Sequence, residues 1–195
     1  IIIGIREDLG IKQLPKIKYE KDVSVADAIS DLPKIRSIIS NKIDSHNEWL
    51  TIFRSLEKIF KDSYFKNQIK KASKIKQFGS RYIKSKNICK FNSNWFHDPK
   101  LFGVVNHETR KHLWEDIQRY IYYSHYASKE KISPKLDFIP HNLRPNHKNI
   151  KKDKIIFNDR FRVQIKDEPA KTITSHISKD GHYFIHYDTS QARSL

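Results

Sequence analysis

The sequence predicts a mixed fold, α/β to α+β, in which a buried strand precedes helices and a set of short strands. Three patterns support this prediction. Residues 1–5 form a nearly continuous apolar run, typical of a strand that is buried on both faces. From about residue 108 to 128, apolar side chains recur at three- and four-residue steps, which predicts the longest helix. Residues 155–165 alternate in part between apolar and polar side chains, which predicts a half-buried strand.

The other elements follow from local signals. Ser24 and Asp27 have the spacing of a capping box, which predicts a short helix that stops at Pro33. Apolar residues between 48 and 60 predict a second helix, while residues 63–90 are expected to be partly helical and residues 91–105 to form a loop. Residues 172–174 and 183–187 predict two strands, joined by a tight turn at Asp180-Gly181.

The composition describes a basic protein with a modest core. The 195 residues include 38 Lys and Arg against 22 Asp and Glu, so the formal net charge is +16. Aromatic residues make up 12% of the chain, which argues against a disordered tail. No stretch is apolar enough to span a membrane, and the single cysteine, Cys89, fits a reducing compartment, which we expect to be the cytoplasm. The absence of Met leads us to expect an internal piece of a longer protein.

Basic residues are concentrated in two segments, residues 58–90 and 144–162. Such a surplus favours a polyanion partner, because each phosphate that a cation neutralises releases counterions. We therefore predict a nucleic-acid partner, the alternative being a solvated surface. The first segment has one acid, Asp62, against Lys58, Lys61, Lys66, Lys70, Lys71, Lys74, Lys76, Arg81, Lys84, Lys86 and Lys90.

Three separated segments carry a family resemblance. They are Ile-Ile-Ile-Gly-Ile-Arg-Glu-Asp-Leu at 1–9, Ser-Val-Ala-Asp-Ala-Ile-Ser-Asp-Leu-Pro at 24–33, and the strings at 159–163, 169–176, 180–188 and 193–195. In this order and spacing they resemble the cytosine-C5 DNA methyltransferases, late in the catalytic domain and around the target-recognition region. Residues 40–100 match no known pattern, as expected for the variable recognition segment.

The resemblance implies an organisation and a chemistry. Residues 1–35 would be the end of the catalytic domain, including the last strand of a class I S-adenosylmethionine-dependent sheet, and residues 36–195 a mixed helix and strand target-recognition domain. In the family, a cysteine thiolate attacks C6 of a flipped cytosine, and C5 then takes the methyl group from S-adenosylmethionine. The family's cysteine follows a proline, whereas Cys89 follows Ile88, and the cofactor loop is absent. No catalytic or cofactor-binding residue is therefore expected in this chain, which would select the target.

The predicted DNA contacts fall in several places. Arg160 and Arg162 are expected to touch phosphates or to form surface ion pairs, and Arg110 and Lys111 to lie at the start of the long helix. No metal site is expected at His182 and His186, because strand residues four apart are separated by about 13 Å. Base or near-base contacts are expected around the hairpin, at Lys171, Thr172, Thr174, Ser175, His176, Lys179 and His182, although the threonines also suit a strand. Arg193, in the last motif, is a further predicted DNA-binding residue.

Three functions remain open on the sequence. The first is part of a DNA (cytosine-5-)-methyltransferase of a bacterial restriction-modification system, with the rest of that enzyme and a cognate restriction endonuclease as partners. The second is a non-catalytic, sequence-specific DNA-binding module related to such an enzyme. The third is a basic nucleic-acid-binding module that prefers RNA or has no sequence preference.

Overall fold

The computed structural model describes residues 4–11, 13, 16, 20–87, 90–146, 150, 158–172 and 181–195. Strand β1 pairs in parallel with β4, and β2 pairs antiparallel with β3. The expected first strand falls largely on residues 1–3, which lie outside the described residues. The regular elements of the described ranges are α1 (Val25–Ile29), β1 (Ile38–Ile39), α2 (His46–Ser55), α3 (Ser63–Ala72), β2 (Gly79–Lys84), α4 (Ser93–Phe96), β3 (Gly103–Glu108), β4 (Lys111–His112) and α5 (Trp114–Glu130).

Helix α5 is the centre of the core. Its residues Ile117, Tyr120, Ile121 and Tyr123 are buried, and α2 and α3 pack against it. The predicted apolar stripe is therefore confirmed as core at Ile117, Tyr120 and Ile121, whereas Leu113, which was expected to share it, is exposed and precedes the helix. The partner side chains from the rest of the core include Trp49, Ile52, Phe53, Leu56, Phe65, Leu136, Phe161, Val163 and Ile185.

Side-chain caps fix the starts of the helices. The capping box of α1 is confirmed, since Ser24 Oγ accepts from Asp27 N at 3.1 Å and the Asp27 carboxylate accepts from Ser24 N at 3.1 Å. Asp62 caps α3 by accepting from Phe65 N at 2.7 Å. These caps satisfy backbone N–H groups that have no partner within the helix.

Several predicted boundaries are wrong. The long helix begins at Trp114 and not at about residue 108, which is the last residue of β3. Residues 103–105, expected in a loop, belong to the same strand, because β-branched Val104 and Val105 pair with Ile83 and Tyr82 of β2. Residues 79–84, expected to be partly helical, are the other strand of this pair, and the expected loop at 91–105 contains α4. The strand predicted at 155–165 is reduced to a single bridge in its described part, between Val163 and Ile185.

The predicted hairpin of 172–187 is also changed. Residues 173–180 lie outside the described residues, and Gly181–Tyr183 forms a turn of 3-10 helix where a strand was expected to begin. Ile185 instead bridges Val163 in parallel and Ser194 antiparallel. The backbone partners of residues 183–187 are thus the segment around 162–164 and the last residues of the chain.

The two parts of the chain that carry the family resemblance, near the N-terminus and from residue 159 onward, meet in space. We call these parts the flanks and their contact the junction. Val25 N donates to Glu168 O and Ala26 N donates to Lys166 O, both at 2.9 Å. Further along, Ile35 N donates to Gln191 Oε1 at 3.2 Å. These hydrogen bonds join segments that are about 140 to 160 positions apart in the sequence.

Candidate nucleic-acid interface

All the basic residues predicted between Lys58 and Lys90 are exposed. In α3 they follow from the helix period, since Phe65, Gln68 and Ala72 face the core and the lysines occupy the remaining positions. The last turn of α3 holds Lys70 and Lys71, where cations also complement the helix dipole. This segment is therefore the positive surface that the sequence predicted.

The one acid of this segment does not cancel its charge. Asp62 is bonded to Lys129, whose Nζ lies 2.6 Å from Asp62 Oδ2, and to the His125 ring at 3.2 Å. Burial raises the pKa of the Asp62 carboxyl, but the hydrogen bonds from Lys129 and Phe65 N together with the nearby charges of Lys129 and His125 outweigh it and hold that pKa at about 2. Because a cation from α5 balances Asp62, the lysines of 58–90 keep their full positive field.

Three of the most exposed large apolar side chains belong to one feature, which we call the arm: β2, β3 and the described residues between them. Trp95, Phe96 and Phe102 are 87%, 65% and 71% exposed. A groove of about 770 Å³ in the arm is lined by Phe102 and Leu101 together with cationic and polar side chains, including Lys84, Lys86 and His97. Aromatic and cationic groups side by side are the chemistry of nucleic-acid binding.

The base of the arm is attached to the junction side of the molecule. Arg36 N donates to Gln77 O at 2.9 Å, and the His107 ring contacts Pro33 O at 2.8 Å. Gly79 allows the two strands to approach, because its φ is +92° and a Cβ there would lie 2.1 Å from His107 O. The arm is thus a two-stranded ribbon anchored at its base, and Asn87 beyond the end of β2 adds a further attachment by donating from Nδ2 to Asp31 O at 2.8 Å.

The positions of Arg110 and Lys111 differ from the prediction. Both are exposed, but Lys111 belongs to β4 and pairs with Ile38, and α5 begins only at Trp114. The helix start is instead supplied with an acceptor by Asn41, whose Oδ1 accepts from Trp114 N at 2.9 Å. The expectation that these two cations lie at the start of the long helix is therefore wrong, although their exposure is compatible with phosphate contact.

Among the predicted residues near the C-terminal flank, Arg160, Lys171 and Thr172 are exposed. Arg162 is half-buried, and its guanidinium hydrogen-bonds the Tyr183 hydroxyl and lies over the Tyr183 ring at 5.1 Å. Arg162 therefore has an internal partner, whereas Arg160 is directed to solvent. The remaining hairpin candidates lie outside the described residues: Thr174, Ser175, His176 and Lys179.

Two predicted contact residues lie inside the molecule. Arg193 is buried, donating from Nε to Gln191 Oε1 at 3.2 Å and from a terminal nitrogen to Ser194 O at 3.0 Å. His182 is half-buried, with its Nδ1 2.7 Å from the Tyr120 hydroxyl. Both residues therefore have partners within the protein, which motif position alone did not indicate, and their assignment as DNA contacts stays a prediction.

A second group of cations lines a cleft of about 430 Å³ beside the junction. Burial raises the pKa of Asp188, but hydrogen bonds from Lys34 and Ser190 outweigh it and hold that pKa at about 2. Lys34 Nζ lies 2.8 Å from Asp188 Oδ2, so part of this charge ties residue 34 to residue 188. The lysines of the cleft are Lys34, Lys71, Lys131 and Lys166.

Other kinds of site were also sought in the described part of the chain. There, no three His, Cys, Asp or Glu side chains are grouped so that they could hold a metal ion. No helix in the same ranges is long and apolar enough to cross a membrane. Cys89 lies outside the described residues.

Comparison with known proteins identifies one similar enzyme. Over 94 residues the chain is 40% identical to the type II methyltransferase M.Bpa9945I of Bacillus paralicheniformis. The match covers 48% of this chain and 20% of that relative, so the chain spans a small part of the enzyme it resembles. No protein-family model matches the chain, and no solved structure matches it.

The sequence analysis did not identify the aromatic residues of the arm. Trp95 and Phe96 lie in a segment that matches no pattern, and an aromatic residue in a sequence is by default expected in a core. The signal that was available is their setting, since Lys84, Lys86 and Lys90 precede them and Lys100 follows. Aromatic residues interleaved with lysines are typical of nucleic-acid-binding surfaces.

Proposed function

We propose that this chain is the DNA-recognising part of a DNA (cytosine-5-)-methyltransferase. The observation that carries the proposal is the junction, where the two flanks that resemble this family are hydrogen-bonded to each other between residues 25–35 and 166–191. The similarity to a type II methyltransferase supports methylation, whereas the choice of cytosine C5 rests on the resemblance of the flanks.

The task that we assign to the chain is target selection. A methyltransferase of this kind must extrude the target base from the duplex, which costs a few kcal/mol of unstacking and unpairing. Contacts to phosphates position the protein on the duplex, and contacts to base edges make the binding free energy depend on the DNA sequence. The exposed lysines of residues 58–90 supply the first kind of contact, and the arm and the surface around Lys171 are candidates for the second.

The chemistry itself is assigned to the rest of the parent enzyme. S-adenosylmethionine would supply the methyl group when bound there. Among the described glycines, Gly4 and Gly10 flank a turn of 3-10 helix, and Gly79, Gly103 and Gly181 are isolated in the sequence, so they form no glycine-rich loop between a strand and a helix. The described residues therefore do not provide the kind of loop that would bind S-adenosylmethionine. We therefore expect the isolated chain to transfer no methyl group.

The cellular setting follows as part of the same proposal. A type II methyltransferase protects DNA in a restriction-modification system, so we propose a cognate restriction endonuclease as its counterpart and the bacterial cytoplasm as its location. The partners of the chain would be double-stranded DNA and the remainder of the same polypeptide.

Two measurements test the proposal. In DNA methylated by the enzyme that contains this chain, nucleoside analysis should find 5-methylcytosine, and finding N4-methylcytosine or N6-methyladenine instead would refute the cytosine-C5 assignment. The chain alone should bind duplex DNA with an affinity that falls steeply with salt, by about 0.9 log units per log unit of salt for each phosphate contacted. Tighter binding to RNA would favour the generic basic module.

A further inference from the structure

We propose that the arm contacts the bases of duplex DNA, with Trp95, Phe96 and Phe102 stacking on or wedging between them. This inference rests on the proposed function and deepens it, because the resemblance places residues 40–100 in the variable recognition segment but names no residue there that contacts DNA. The surface expected from the sequence to read DNA was the hairpin around residues 171–182, which is a different part of the chain.

The first argument is exposure. A tryptophan that is 87% exposed leaves a large apolar area in water, and large exposed apolar patches mark binding surfaces. The core of the same molecule does bury aromatic groups, since Trp49 and Phe65 are fully buried. Trp95, Phe96 and Phe102 are therefore surface residues of a chain that is able to bury such side chains elsewhere.

The second argument is charge. The arm carries Arg81, Lys84, Lys86, Lys90 and Lys100 against Asp98 and Glu108. The Asp98 carboxylate caps its own turn by accepting from Lys100 N at 2.8 Å. A partner that covers the arm must therefore offer negative charge and flat apolar faces together, which nucleic acid does through its phosphates and bases.

The third argument is shape. Strands β2 and β3 are six residues long, which corresponds to about 20 Å. The major groove of duplex DNA admits a two-stranded ribbon, and apolar side chains can also enter a duplex as wedges between base steps. The groove that holds Phe102 also holds Lys84 and Lys86, so a base and its neighbouring phosphate could be bound together.

Intrinsic fluorescence tests this contact without any substitution. The other two tryptophans are buried or half-buried, Trp49 in the core and Trp114 at the start of α5, so an added quencher such as acrylamide acts mainly on Trp95. Mixed-sequence duplex DNA should protect Trp95 from acrylamide and quench its emission. Trp95→Phe, which removes this signal and keeps an aromatic ring, identifies the contribution of Trp95.

Substitutions then separate stacking from electrostatics. Trp95→Ala should weaken duplex binding about tenfold at every salt concentration with the salt slope unchanged, while Trp95→Phe should keep most of the affinity. Lys84→Ala should instead make the salt slope shallower by about 0.9. The matched control is Phe138→Ala, since Phe138 is 70% exposed but lies outside the arm; it should bind as the wild-type chain does.

The outcomes distinguish the two proposals. Duplex binding by the wild-type chain with Trp95 still open to acrylamide, and with Trp95→Ala within twofold of wild type, refutes the arm contact and leaves the proposed function standing. Stronger binding to single-stranded DNA than to duplex, or self-association that Trp95→Ala abolishes, also overturns it. Failure of the wild-type chain to bind any DNA would contradict the proposed function itself.

Discussion

Replacing Asp44 by Asn should destabilise the fold strongly, because it breaks a buried ion pair. The Arg36 guanidinium donates to both carboxylate oxygens of Asp44, at 2.8 and 2.7 Å, and its side chain is 4% exposed. The same guanidinium lies 5.7 Å from the centre of the Trp49 ring and 5.8 Å from that of Phe78. Arg36 therefore connects the core to the base of the arm.

The magnitude follows from burial. Removing one partner of a buried pair leaves an uncompensated charge and costs about 3–5 kcal/mol. Since Asn retains one acceptor oxygen, we expect about 3 kcal/mol, or roughly 6–12 °C in melting temperature for a domain of this size. The matched control is Asp8→Asn, which breaks an equally bidentate pair with Arg6 whose side chains are 79% and 59% exposed, and should cost less than about 1 kcal/mol.

Urea unfolding at neutral pH measures the difference, and acid titration adds a second readout. The hydrogen bonds from Arg36 hold the pKa of Asp44 below its ordinary value, so its contribution is complete above that value and is lost as pH falls through the lower folded pKa. Asp44→Asn should remove this part of the acid sensitivity. Equal losses for Asp44→Asn and Asp8→Asn would refute the reasoning that burial sets the cost.

Three further predictions concern the arm, the junction and the polar interior. Gly79→Ala should loosen the arm and weaken duplex binding while leaving the core's thermal unfolding largely unchanged, because the new Cβ would clash with His107 O. Ser24→Ala should cost about 1 kcal/mol in urea unfolding through loss of the α1 cap, whereas Ser24→Thr should cost much less. Burial lowers the pKa of His112 to about 4, so the free energy of unfolding should fall as pH decreases from about 6.5 to 4, and His112→Gln should flatten part of that slope.

Local signals predicted the parts of the fold that local contacts determine. The α1 capping box lies within four residues, and the stripe of α5 repeats within one helix, so both could be recognised in the sequence. The pairing of β2 with β3 could not, because the partners are about 20 to 30 residues apart and both strands are polar or exposed on most positions. Without a buried face, a strand lacks the alternation that identifies it.

The candidate site divides in the same way. Net charge predicted the exposed lysines, because cations without a buried partner stay at the surface. Motif position suggested Arg193 as a DNA contact. In the structure, the Arg193 side chain is buried and donates to Gln191 Oε1 and Ser194 O. Trp95 is exposed because the short helix α4 has no buried residue, and the sequence did not indicate that this helix would lie at the surface.

The hydrogen bond between Ile35 and Gln191 has a consequence for how such a chain can change over time. This hydrogen bond holds the two ends of the segment 35–191 side by side, so the residues between them form an insertion that begins and ends at one place. Lengthening such an insertion costs little free energy of folding, since the entropy lost on closing a loop grows only with the logarithm of its length. On the proposed function, replacing this insertion would change the recognised DNA sequence and leave the junction in place.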